Sequence, residues 1–158
     1  MPRGGAVRLR NIEPDPVYKN KLITKLINRA MKDGKKSVIE KEVYEAFEII
    51  KGKDMDPVKV FSDAMANIKP TMEVRPRRIG GAAYQVPATV RGPRKESLAI
   101  RWLVGAARAR SNSEYKTFAA KLAAEVLDAS KGEGVAVKKK LDTEKMAEAN
   151  RAFAHFKW

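Results

Sequence analysis

Several things are missing from this chain, and each absence removes a class of function. There is no cysteine among its 158 residues, so disulfide frameworks, thiol nucleophiles and cysteine-based metal sites are excluded. Histidine occurs once, as His155. One histidine with no cysteine and no HExxH pattern leaves no metal centre to expect. With no evident orienting carboxylate, His155 makes a poor general base. Asp54 and Asp56 read as turn and cap residues, not a catalytic pair. Catalysis, cofactors and small-molecule substrates are therefore not expected. No apolar run reaches the roughly 18 residues that a membrane-spanning helix needs. The charges of Met1–Arg10 are not followed by an apolar segment, so this stretch does not read as a signal peptide.

Negative charge is also scarce. Lys and Arg number 33 against 19 Asp and Glu, a net charge of +14. Such a field attracts and steers polyanions. With 44% hydrophobic residues, the chain can still bury a core, and its length suits one domain over residues 1–158.

The most telling stretch runs from Val74 to Lys95. Two short runs of strand character flank Gly80-Gly81, a pair able to supply the positive φ angles of a tight hairpin turn. Arg75, Arg77 and Arg78 precede the turn. After it, Tyr84, Val86, Ala88 and Val90 alternate with Gln85, Pro87, Thr89 and Arg91, the period of a two-faced strand. Pro76 and Pro87 cannot donate to a ladder, which favours a protruding edge ribbon over residues 72–91. So much positive charge suits a finger laid along a phosphate backbone.

The remainder reads as helices. A basic arm over residues 1–15, with Arg3, Arg8 and Arg10 among prolines and glycines, precedes them. The first helix is expected from Pro16 or Val17 to Asp33, with Gly34 closing it, and its stripe comprises Leu22, Ile23, Leu26, Ile27, Ala30 and Met31. Lys35 and Lys36 follow in a loop that lacks the spacing of a P-loop. The second helix is expected to start with Ser37 and Glu40 as a capping box and to bury Ile39, Val43, Ala46, Phe47 and Ile50. The third has Asp56 as cap, Pro57 in its first turn and Pro70 as its stop.

After Gly92-Pro93 a fourth helix is expected over about Glu96–Arg110. Arg94, Lys95, Arg101, Arg108 and Arg110 lie along it and its approach. Between Thr71 and Asn112 nine basic residues face only two acidic ones, Glu73 and Glu96, an imbalance that points to a binding face. Ser111–Ser113 offer caps for a fifth helix that includes Tyr115, Phe118, Ala119, Leu122 and Val126. A last helical region carries Lys138–Lys140, and an aromatic, basic tail over 148–158 ends the sequence. Its aromatics can dock on the domain or stack on a partner.

Taken in order, Asp15-Pro16, Lys21–Asn28, Asp33–Lys36, Val74–Arg78, Gly80-Gly81, Tyr84–Pro87, Leu98, Arg101–Val104, Ala136–Lys139 and Lys145–His155 closely resemble the family of small-subunit ribosomal protein seven of bacteria and organelles. The likeness covers nearly the whole chain. It implies a mainly α fold of about six helices, with a two-stranded β-ribbon between helices three and four. It also implies a primary binder of small-subunit ribosomal RNA that nucleates assembly of the subunit head in the cytoplasmic ribosome. The family lies near the exit site for tRNA and the mRNA path, beside small-subunit proteins nine and eleven. Some members repress translation of their own mRNA.

Carried over by position, the RNA-facing set is Arg3, Arg8, Arg10, Lys35, Lys36, Arg75, Arg77, Arg78, Arg91, Arg94, Lys95 and Arg101, which Arg108 and Arg110 extend. Gly80, Gly81, Tyr84 and Gln85 at the ribbon tip, with Arg151, Lys157 and Trp158 in the tail, would face the exit site. Two other classes compete: an architectural DNA-binding protein using the ribbon as a minor-groove arm, and a membrane-surface protein. The second is disfavoured because the cations sit on loops and a ribbon instead of backing an amphipathic helix.

Overall fold

A computed structural model describes residue 4 and residues 11–156. The arm residues Arg3, Arg8 and Arg10, and Lys157 and Trp158 of the tail, lie outside the described residues. Among the described residues there are six α-helices, α1 (Lys21–Ala30), α2 (Lys36–Lys51), α3 (Pro57–Ile68), α4 (Gly92–Ala109), α5 (Phe118–Ser130) and α6 (Val135–Ala149). Strands β1 (Met72–Ile79) and β2 (Ala82–Thr89) lie between α3 and α4, and a short 3-10 helix, Arg151–Phe156, follows α6. The fold is mainly helical with one β-ribbon, as the sequence suggested.

Helix α5 is the centre of the body. Ala119, Leu122, Ala123, Val126, Leu127 and Ala129 are all buried, and the helix packs against α2, α3 and α4. Apolar residues on nearly every side suit a helix with no free face, and its alanines let neighbouring backbones approach. Phe47 of α2 and Phe61 of α3 fill the space beside it with ring centroids 5.8 Å apart. The expected stripes of α1 to α4 supply the rest of this core, with Leu22, Ile39 and Trp102 packed at its edge.

Helix ends are held by side chains from other elements. Glu42 of α2 accepts from the Ala119 amide at 2.8 Å, placing a carboxylate at the positive end of α5. Asn67 donates to the carbonyls of Ala129 and Ser130 at its far end. Arg108 does the same for α1 through the Ala30 carbonyl at 2.6 Å.

Five boundaries, on four helices, differ from expectation, each for a local reason. Helix α1 starts at Lys21. Asp15, 2% exposed, accepts from the Val17 and Tyr18 amides and from the Tyr44 hydroxyl at 2.8 Å; the turn this makes absorbs Pro16–Tyr18. Lys19 then takes a positive φ of 51°, and Asn20 caps the helix by accepting from Leu22. At the other end Met31 is already extended, so Gly34 does not close α1.

Helix α2 begins at Lys36, before Ser37, and lacks the capping box; Lys35 precedes it without a side-chain cap, and Glu40 pairs with Lys36 instead. Helix α4 starts at Gly92, because Pro93 is accommodated in its first turn, where no intrahelical N–H is needed. Helix α5 is capped by Thr117, which accepts from Ala120. Ser111 spends its hydroxyl on Ser113, and Tyr115 stays in the loop. Helix α3 matches: Asp56 accepts from Val58 at 3.0 Å and Pro57 opens the helix.

The ribbon pairs Met72 with Thr89 through Ile79 with Ala82, antiparallel, around the two-residue turn Gly80-Gly81. Both glycines have positive φ, 57° and 90°, which a two-residue turn matching the strand twist requires. Helix α6 packs on the ribbon, and the 3-10 helix packs on β2. Thr71, just before β1, donates its amide and hydroxyl to Glu144 of α6 at 2.8 and 2.7 Å.

Candidate nucleic-acid interface

At the ribbon root an open hollow of about 930 Å³ is lined by Glu73, Val74, Arg75, Pro76, Ala88, Thr89, Arg91 and Arg94. Its floor holds one carboxylate. The Glu73 side chain is 8% exposed and sits between two guanidinium groups. Arg75 approaches Oε1 with Nε at 2.7 Å and Nη2 at 2.6 Å. Arg94, from the first turn of α4, approaches Oε2 with Nε and Nη2, both at 3.2 Å. Burial pushes the Glu73 carboxyl up, but the hydrogen bonds and charge of Arg75 and Arg94 outweigh it and hold the pKa below its ordinary value.

Both arginines remain half open to solvent, at 56% and 45% side-chain exposure. A guanidinium has five N–H donors, so the edge turned away from Glu73 stays available. The other acidic residue of the basic stretch, Glu96, is held by Lys25 of α1 at 2.5 Å. Neither carboxylate therefore stands unopposed on this side of the molecule.

The other site residues expected from sequence separate into groups. Arg77 and Arg78 are exposed on β1, Arg91 is exposed just before α4, and Lys95 is half-buried. Arg101 is exposed on α4. Lys35 and Arg108, far apart in sequence, line one hollow with Lys32, and Lys36 is exposed beside them.

Arg110 is different. It turns inward, 17% exposed, to Glu125, which is fully buried, and to Asp128. Burial lowers its pKa, but Asp128 and Glu125 raise it more. A guanidinium so engaged belongs to the body, so Arg110 is left out of the surface set. Tyr115 covers it, with the guanidinium 5.5 Å from the ring centroid.

At the ribbon tip, Gly80, Gly81 and Gln85 are exposed. Tyr84 is half-buried against the 3-10 helix, 5.3 Å from the Phe153 ring and 5.8 Å from Phe156. The tail aromatics thus dock on the ribbon, and Arg151 stays exposed beside them. His155 is exposed and its Nδ1 lies 2.8 Å from the Ala152 carbonyl. Among the described residues no group of His, Asp or Glu could hold a metal ion, and no helix is long and apolar enough to cross a membrane.

Sequence reasoning missed Glu73 and Lys25 as parts of this face. A weak signal existed for Glu73: it lies two residues before Arg75 on the same strand face. None existed for Lys25, whose partner is 71 residues away.

The arrangement offers exposed, planar, bidentate cation donors on a ribbon and a helix start, which is chemistry for phosphate. Residues 2–151 match the family model described as ribosomal protein S7p/S5e. The chain is 58% identical to small ribosomal subunit protein uS7 of Carboxydothermus hydrogenoformans, 57% to that of Thermodesulfovibrio yellowstonii and 55% to that of Syntrophomonas wolfei. Each alignment covers 100% of both chains.

Proposed function

Because the chain belongs to the ribosomal protein S7p/S5e family, and is thus a constituent of the small ribosomal subunit, we infer that its cationic face binds small-subunit ribosomal RNA and nucleates assembly of the subunit head. Residues 1–158 would act as one RNA-binding unit with a structural, non-enzymatic role in translation. Arg75, Arg77, Arg78, Arg91, Arg94, Lys95 and Arg101, with Lys35, Lys36 and Arg108, form the RNA-facing set, joined by Arg3, Arg8 and Arg10 of the arm. Gly80, Gly81, Tyr84 and Gln85, with Arg151, Lys157 and Trp158, face tRNA at the exit site and the nearby mRNA. Small-subunit proteins nine and eleven are the protein neighbours, and the same face serves to bind the protein's own mRNA as a repressor.

The observation that carries this reading is the ribbon root, where exposed arginines converge and the nearby carboxylates Glu73 and Glu96 are both neutralised from within. The A-form major groove is too narrow for side chains to read, so recognition works through shape, backbone and splayed bases. Each phosphate neutralised releases counterion and makes affinity fall with salt. Replacing Arg75, Arg77 and Arg78 together by Ala should reduce the slope of log affinity against log salt by about one for each phosphate that is no longer neutralised, with the helical circular dichroism unchanged. A triple variant with wild-type affinity and slope for small-subunit RNA would remove the ribbon from the interface.

A further inference from the structure

A negative charge on an RNA-binding face should by simple electrostatics weaken binding. The ribbon root is built differently. We propose that Glu73 is a positioning residue that locks Arg75 and Arg94 into one phosphate-gripping unit, so that this acidic side chain strengthens RNA binding. The inference rests on the reading that the ribbon root contacts RNA phosphate.

Three observations carry it. First, the two carboxylate oxygens are divided between the arginines, Oε1 for Arg75 and Oε2 for Arg94. Each arginine uses Nε and Nη2, which fixes the plane of the guanidinium and leaves Nη1 facing away. Second, the carboxylate is sunk while the guanidiniums are half exposed, so an incoming phosphate meets nitrogen donors and not carboxylate oxygen. Third, the arginines come from different elements, β1 and the first turn of α4. Glu73 therefore joins ribbon to body at the same point where it orients the donors. Arg91, beside them in the hollow, adds a cation that this carboxylate does not hold.

Free arginine side chains lose considerable rotamer freedom when they close on a ligand, and a group that orders them beforehand removes that cost from binding. Ala88, the cross-strand partner of Glu73, and Thr89 also line the hollow; both are small and leave room for a sugar-phosphate backbone.

The test uses the full chain and in vitro transcribed small-subunit ribosomal RNA at fixed salt. Glu73→Gln keeps the shape and removes the charge. Its affinity should fall by about fivefold or more, from the ordering cost of two long side chains, although the protein has become more positive. In an Arg75→Gln/Arg94→Gln background the same substitution should leave affinity unchanged or slightly raise it, because Glu73 then has nothing to orient. Tighter or equal binding by Glu73→Gln in the otherwise wild-type chain overturns the inference. Wild-type affinity of the Arg75→Gln/Arg94→Gln protein instead overturns the underlying reading of the interface.

A readout without any variant guards against misfolding of Glu73→Gln. In nitrogen-15 spectra of the RNA-free wild-type protein, the Nε–H signals of Arg75 and Arg94 should be resolved and slow to exchange. Signals that exchange as fast as those of a solvated arginine would equally dispose of the inference.

Discussion

Oε1 of Glu125 lies 2.9 Å from where a Cβ on Gly134 would be placed, and Gly134 itself has a φ of +95°. The same oxygen accepts from the Ala136 amide at 3.0 Å, while Oε2 receives Arg110. The turn into α6 is thus built against a buried carboxylate, with space for hydrogen only. Gly134→Ala combines a strained backbone with displacement of Glu125. It should lower stability by roughly 2 kcal/mol or more, read from the denaturant midpoint at constant slope.

The same carboxylate makes Arg110 structural. Arg110→Ala would leave Glu125, fully buried, without its cation. Breaking a buried pair from one side should cost roughly 3 kcal/mol. Arg101→Ala, at an exposed site on α4, should change stability by less than about 0.5 kcal/mol. Equal losses from the two substitutions in chemical denaturation would contradict this assignment.

Acid should loosen the ribbon root. Glu73 and Glu144 both have a folded pKa below the ordinary 4.5. For Glu144, burial raises the pKa, but hydrogen bonds from the Thr71 amide and hydroxyl and the charge of Lys140 outweigh it. A depressed folded pKa contributes stability that is complete above the unfolded value and is lost as pH falls through the folded one. Stability should therefore decline below about pH 4.5. A Glu73→Gln/Glu144→Gln protein should start less stable at neutral pH and show a flatter acid limb. An unchanged acid limb by pH-dependent thermal melting would refute the linkage.

The tail steadies the ribbon. Phe153 packs 5.3 Å from Tyr84, and Phe153 and Phe156 are near-parallel with centroids 6.4 Å apart. Phe153→Ala should speed hydrogen exchange over residues 82–86 while amides of α5 keep their protection. Uniform exchange changes across the molecule would mean that the tail serves general stability instead.

Tyr44 offers a check on how the segment before α1 is anchored. Burial first, then its hydrogen bond and charge interaction with Asp15, raise its pKa to about 12. Ultraviolet titration should show a late-ionising tyrosine that Tyr44→Phe removes. An Asp15→Asn protein should bring that step to lower pH.

The ribbon was readable because its signals are local. A glycine pair, period-two alternation and prolines lie within a few residues of one another, and the turn used them as expected. Helix α3 was equally plain, since Asp56 and Pro57 sit at adjacent positions. The start of α1 was not, because Pro16–Tyr18 resemble a first helical turn unless the Asp15 side chain is known to bind their amides. Ser111–Ser113 misled for the same reason: their hydroxyls satisfy each other. Within the candidate interface, the exposed arginines of the ribbon were recoverable from charge alone. The inward turn of Arg110 was not, because its carboxylates lie 15 and 18 residues away and meet it only once α4 and α5 pack.

Glu73 also alters what a salt titration can count. With Arg75 and Arg94 it forms a trio of net charge one, so an RNA strand settling on it has about one phosphate charge neutralised and gives up about one of its own condensed cations, where two unpaired arginines would free about two. Ionic-strength dependence would then underestimate how many guanidinium groups touch the strand, and the shortfall would itself be a signature of the hidden carboxylate.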